Sequence, residues 1–273
     1  MSKMEFCYVP VGPFLMGSAD EDEMAFDDEK PLHQVDLAYG YWLARYPVTV
    51  AQFTTFVQHS GYQLRDGNAL LGLANCPVVY TTWYDAMAFC RWLNEQWRQR
   101  GIIPAEWQVT LPSEAEWEKG ARGGLQVPVI PVIKPPQEVE LWQPQVMLKA
   151  NDNAKRRYPW GDEPDPKRAN YDEAGIGRTS EVGLFPGGAS PYGCEEMSGN
   201  AEQWTRSHFK EYPYNPTDGR EDLEADNQVC RVTRGGAFSH FVRSIRCASR
   251  FDYHPRGRGG FSGFRLALVA SQK

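Results

Sequence analysis

The 273-residue sequence predicts an α+β fold that is loop-rich, with a few helices and short antiparallel strands. Three observations predict it. Short runs of strand character stand near both ends of the chain, bounded by Gly or Pro. Helical spacing behind a capping residue is confined to the stretch between Thr49 and Ala121. Finally, 25 Gly and 20 Pro accompany 9 Trp and 13 Tyr, which suits many turns pinned by a few large side chains.

Taken in order, Glu5 to Ser18 gives two short strands around a Gly-Pro turn. The acidic run from Asp20 to Lys30 lacks EF-hand spacing and reads as a solvated loop. His33 to Arg45 gives two more strands. Thr49 caps a helix from Val50 to about His59, closed by Gly61, with Phe53, Phe56 and Val57 on one face. Thr82 caps the longest helix, roughly Trp83 to Arg100, whose buried stripe is Ala86, Phe89, Cys90, Leu93 and Trp97. Ser113 and Glu116 form the capping box of a third helix, which stops near Ala121. A Pro-rich segment at about 126–150 reads as an insertion lying extended over the surface. A turn-rich region follows, from Tyr158 to Trp204. Val232 to Gly236 is a strand entering a glycine turn. Gly263 to Val269 alternates large and small side chains as a last strand, and Ser239 to Ser262 between them shows no helical or strand period. The whole of 1–273 reads as a single domain.

Composition limits the function classes. With 23% charged and 41% hydrophobic residues, the chain has the balance of an ordinary globular protein. A net charge of -6 gives no broad attraction to nucleic acid or an anionic membrane, so neither is an expected partner. The stretch from Arg243 to Arg265 departs from this, with six Arg and only Asp252 against them. No apolar run reaches membrane-spanning length and no signal-peptide pattern is present, so a cytoplasmic location is expected. The six cysteines form no C-x-x-C pair and read as buried free thiols. Gly175 to Ser180 has no preceding strand or third glycine, which argues against a Rossmann phosphate loop. A Gly-x-Ser-x-Gly elbow is absent.

Eight segments stand in the order found in one family: Val9 to Ser18, Tyr46-Pro-Val-Thr, Leu111 to Glu118, Tyr158-Pro-Trp-Gly-Asp, Ala169-Asn-Tyr, Met197 to Trp204, Arg234-Gly-Gly and Gly263-Phe-Arg. Together they resemble the formylglycine-generating enzymes, or sulfatase-modifying factors, over nearly the whole chain. The resemblance implies a C-type-lectin-like fold, in which few regular elements support long loops. It also implies, for the family's oxidases, a cysteine pair just after Arg-Gly-Gly that binds copper, a soft-ligand site. Here Ser239 to Ser244 holds no cysteine, and Cys247 stands where the family has a structural residue, so no copper is expected. A sulfoxide-synthase relative would need an iron site with spaced histidines, and His33, His59, His208, His240 and His254 lack that spacing. The resemblance further implies structural Ca²⁺ on the loop of Glu196, Gly199, Ala201 and Gln203, with Asn170 and Asp172 near a second site. Gln203 stands where a Glu is usual, and a turn without an ion fits the same residues.

A second resemblance lies inside the tail. From Ala237 to Ser262 there is no Lys, Glu, Gln, Met or Trp, the residues unreachable when the adenines of an Asn codon are randomised. The stretch resembles the variable region of retroelement-diversified proteins. On that pattern the varied positions are Ser239, His240, Phe241, Ser244, Phe251, Tyr253, His254, Arg256, Gly257, Gly259, Gly260 and Phe261. Arg243, Arg246, Cys247, Arg250, Pro255 and Arg258 would be fixed, with Arg246, Arg250 and Arg265 holding the scaffold. Aromatics, Arg, Ser and Gly are also the residue types of antibody paratopes. The expectation is a noncatalytic binding surface at about 237–262 for a protein ligand. The alternatives are a formylglycine-generating-type oxidase with an altered site, or a structural accessory domain.

Overall fold

The computed structural model describes residues 4–139, 144–226 and 228–270. The strands and helices run β1 (Phe6–Val9), β2 (Gly12–Met16), β3 (His33–Leu37), β4 (Tyr41–Ala44), α1 (Val50–Ser60), α2 (Trp83–Gln99), β5 (Trp107–Thr110), α3 (Glu114–Arg122), β6 (Gln126–Pro128), β7 (Ile133–Lys134), β8 (Leu148–Ala150), β9 (Glu202–His208), β10 (Arg231–Arg234), β11 (Arg250–Tyr253), β12 (Ser262–Phe264) and β13 (Ala267–Ala270). They build a five-stranded sheet, β5-β13-β4-β1-β7, and a four-stranded sheet, β11-β10-β9-β12. β2-β3 and β6-β8 are separate antiparallel pairs, and β12 runs parallel to β9.

The helices start where local side chains satisfy their first N–H groups. Thr49, Thr82 and Ser113 each accept from the third helical residue, whose side chain returns the bond to the cap. Gly61 closes α1 in the left-handed region at φ 70. The stripe expected on α2 is buried, and Phe53, Phe56, Phe89, Trp92 and Phe264 pack ring against ring. α3 is buried on all sides, because its charged residues pair inside the protein.

Four readings of the sequence are corrected. The last strand breaks at Arg265 and Leu266 into β12 and β13, which belong to different sheets. The stretch from Ser239 to Ser262, read as unpatterned, contains a 3-10 helix (Val242–Ile245) and β11. In the acidic run Glu29 is fully buried, bonded by Arg246 at 2.8 and 2.6 Å. The Pro-rich segment does more than lie on the surface. β6 and β8 close it, β7 joins the main sheet beside β1, and Val127 and Val139 are buried. Its residues 140–143 lie outside the described residues.

Candidate functional site

β10 ends in Gly235 (φ 90) and Gly236 (φ 66), which turn the chain out of the four-stranded sheet. Gly236 has no room for a side chain: a Cβ there would lie 2.7 Å from the Ser244 carbonyl oxygen. The chain returns through the 3-10 helix to β11, which pairs with β10 from Arg231–Tyr253 to Arg234–Arg250. It is then tied to the start of α2, where Trp83 N–H donates to Pro255 O at 3.1 Å and Tyr80 N–H to Gly259 O at 3.0 Å.

Burial divides this segment. Ser239, Phe241, His254 and Arg256 are exposed, while His240, Ser244, Phe251, Tyr253, Gly257, Gly259, Gly260 and Phe261 are half-buried. Among the intervening positions read as fixed, Arg246, Cys247, Arg250 and Pro255 are buried, Arg258 is half-buried and Arg243 is exposed.

The buried arginines hold the loops. Arg246 bonds Glu29, and Arg250 bonds both Glu114 carboxylate oxygens at 2.7 and 2.9 Å. Arg234 donates to the carbonyls of Ala248 and Cys247 at 2.7 and 2.9 Å, and to Glu118. Arg243 donates to Met24 O and Ala25 O and lies over the Phe26 ring. These bonds fix the loop backbone independently of the outward side chains.

The structure brings four of the expected surface residues together. His240 meets Phe251 and Phe261, each at 5.6 Å between ring centroids, and Tyr253 meets Phe261 at 6.2 Å. Buried Trp204 underlies them, 5.6 Å from Tyr253. Phe241 stands outside this cluster at 66% exposure. The three glycines are less replaceable than the varied-position reading expects: a side chain at Gly257, Gly259 or Gly260 would press on Tyr253, Phe261 or Tyr80 respectively.

The sequence reading missed the floor of the cluster. Glu202 and Trp204 alternate along β9, so both reach the same face of the sheet. Glu202 Oε2 accepts from Thr233 Oγ1 at 3.1 Å, and its Oε1 lies 3.7 Å from His240 Nδ1. Burial raises the Glu202 carboxyl to about 7 and lowers the His240 imidazole below its ordinary value. Period-two spacing in the segment ending at Trp204 was the available signal. Tyr80 was also missed; it holds φ 61, rare for a bulky residue, at the edge of this surface.

These residues do not fit copper. The 3-10 segment offers no thiol, and burial pushes the Cys247 thiol up to about 12, away from the thiolate that a soft metal requires. All six cysteines are free, and five of them are buried.

In the first expected calcium loop a cation of the protein already bonds two of the oxygens, Gln203 Oε1 and Glu196 O. Arg265 donates to Gln203 Oε1 at 2.5 Å, Glu195 O at 2.7 Å and Glu196 O at 2.9 Å. Gln203 also accepts from Trp117 Nε1 and donates to Glu196 O, both at 2.7 Å. The Glu196 carboxyl accepts from Gly183 N and Asn200 Nδ2, and burial raises it to about 7. Gly199 and Ala201 are buried in the same turn. Asn170 is buried with its Oδ1 unpaired, while Asp172 is exposed. No group of three or more His, Cys, Asp or Glu is placed to hold a metal among the described residues.

Residues 2–270 match the family model of the sulfatase-modifying factor enzyme 1-like domain. The chain belongs to this family. Its relatives include the serine/threonine-protein kinase pkn1 of Chlamydia caviae, 27% identical over 96% of this chain and 38% of that protein. Hercynine oxygenase of Mycolicibacterium smegmatis is 27% identical over 95% of this chain and 60% of its own length. The formylglycine-generating enzyme of Mus musculus is 24% identical over 95% and 73%. The chain thus spans less than two thirds of the first two relatives. Among solved structures, PvdO from Pseudomonas aeruginosa superposes with a TM-score of 0.70 at 25% identity, covering 96% of this chain and 92% of that one. Treponema denticola variable protein 1 does so at 0.66 and 17%, covering 97% and 94%. The fold is therefore the one expected from the sequence, mixed α and β with few helices and several small sheets.

Proposed function

We propose that this domain is a noncatalytic binding protein whose residues from about 237 to 262 recognise a partner protein. One observation carries the reading. Side chains at the positions read as varied lie at least partly open to solvent, while most positions read as fixed are buried in bonds that hold the loop. A scaffold independent of its displayed side chains tolerates their exchange, and the aromatic cluster gives rigid contact area with little entropy to lose. The likeness in fold to a protein named a variable protein supports retroelement diversification as the source of that exchange.

A second reading keeps an oxygen-dependent enzyme with an altered site. It is favoured by the enzymes among the relatives, and by the His240–Glu202 pair, an imidazole 3.7 Å from a buried carboxyl. Copper-loaded protein assayed with a Cys-containing sulfatase peptide separates the two. No formylglycine is expected; turnover above the metal-free control sinks the binding reading. Diversification has its own test in the genome. A near-copy of the Arg234 to Arg265 coding region, with adenines at the varied codons, should lie beside a reverse transcriptase gene.

A further inference from the structure

Most tail arginines are used up by the scaffold, but Arg256 and Arg258 are not. Neither guanidinium makes a hydrogen bond or ion pair among the described residues, and nor does that of Arg65. All three line one cavity of about 380 Å³, with Tyr62, Gln63, Thr82, Tyr84 and Asp85. Two segments supply the cations: the α1–α2 connection gives Arg65, and the tail loop gives Arg256 and Arg258, two residues apart. Like charges brought together repel, so three guanidiniums around one cavity are the feature to explain.

Among the described residues Asp85 is the only carboxylate lining the cavity, and the fold uses it as a hydrogen-bond acceptor. Its Oδ1 accepts from Tyr62 OH at 2.7 Å, while its Oδ2 accepts from Thr82 N at 2.8 Å and Thr82 Oγ1 at 2.6 Å. Three guanidiniums against this one carboxylate leave positive charge in excess. The N-terminus of α2, whose peptide dipoles add positive potential, opens on the same cavity.

We infer that this cavity is an oxyanion site for a tetrahedral dianion of the phosphate class. The dianion is either free or carried as a phosphoryl group on a side chain. Guanidinium forks match phosphate oxygens with paired N–H donors, and three of them outweigh what a single carboxylate ligand can neutralise. The second form deepens the binding reading above, from which it takes its carrier, because Arg256 belongs to the proposed recognition surface. The free ion needs no partner.

The test is a titration at low ionic strength, followed by backbone amide shifts, of inorganic phosphate and separately of phosphotyrosine. Arg65→Gln and Arg258→Gln serve as variants, with thermal melts to show that both still fold. Saturable shifts at Tyr62, Thr82 and Arg258, weakened about tenfold or more in either variant, are expected. Tighter binding of phosphotyrosine points to the carried form, and equal binding to the free ion. No saturation by about 50 mM phosphate, or saturation that both variants leave unchanged, overturns the site. Either failure leaves the copper assay and the binding reading untouched.

Discussion

His240 Nδ1 faces Glu202 Oε1 at 3.7 Å, buried, and makes no hydrogen bond. The carboxyl behind it is 3% exposed, and among the described side chains Thr233 alone donates to it. The centre of the proposed surface therefore has a nearly uncompensated acid under a ring of aromatics.

That arrangement makes stability depend on pH with a definite sign. The folded protein retains a proton on Glu202 up to about 7, whereas the unfolded chain releases it near the ordinary glutamate value of 4.5. The contribution is fully present below the unfolded value and is lost as pH rises through the folded one. Glu202→Gln should thus gain on the wild type by about 2 kcal/mol between about pH 5 and pH 8. Urea unfolding at the two pH values reads this, and an equal difference at both contradicts the buried-acid account.

Scaffold and display should separate in mutagenesis. Arg246→Ala leaves Glu29 buried and uncompensated, with an expected loss of about 3–5 kcal/mol. Exposed Ser239, Phe241, His254 and Arg256 should each tolerate Ala within about 0.5 kcal/mol. Chemical denaturation of the two sets gives the comparison; similar losses would remove the division on which the binding reading rests.

Calcium should not matter for stability through the loop held by Arg265. Gln203 Oε1 and Glu196 O are bonded by a fixed guanidinium, so a melt in calcium and one in chelator should agree within about 1 °C. Arg265→Ala instead strips partners from several buried carbonyls and should unfold the protein at much lower denaturant, by about 3 kcal/mol or more.

Two glycines separate backbone strain from lack of space. Gly61 and Gly236 have φ 70 and φ 66, but a Cβ at Gly61 meets nothing within 4 Å while one at Gly236 meets Ser244 O at 2.7 Å. Alanine should cost about 1 kcal/mol at Gly61 and clearly more at Gly236, in melts of the two variants. Equal costs would show that the loop after β10 yields freely.

How much could be seen in the sequence follows from how local each cause is. The helices were legible because Thr49, Thr82 and Ser113 are satisfied by residues three positions on. The break at Arg265 was not, because strand alternation runs smoothly across it while the guanidinium's acceptors, Ala44 O and Glu195 O, are distant in the chain. Glu29 looked like one more solvated acid, since its partner Arg246 stands 217 residues away. β5 went unseen for the same reason: its four residues acquire a partner only when β13 arrives. In the tail, composition and family resemblance pointed to a displayed surface. They could not place Glu202 under it, because that contact joins two strands and a loop. Nor could they bring Arg65 to Arg256, which only the packing of the α1–α2 connection against the tail loop achieves.

β4 lies between β1 and β13, and the bond from Arg265 to Ala44 spans 221 residues. Closing the central sheet thus waits for the last strand, after the variable-looking loops have already been laid down. Chains with such remote pairings fold slowly and expose their sheet edges meanwhile. A change in those loops meets an all-or-none inspection: either β13 seats against β4 and β5, or the edges of both strands stay open to aggregation. A substitution that derails those loops would thus be felt first at the sheet edges, during folding.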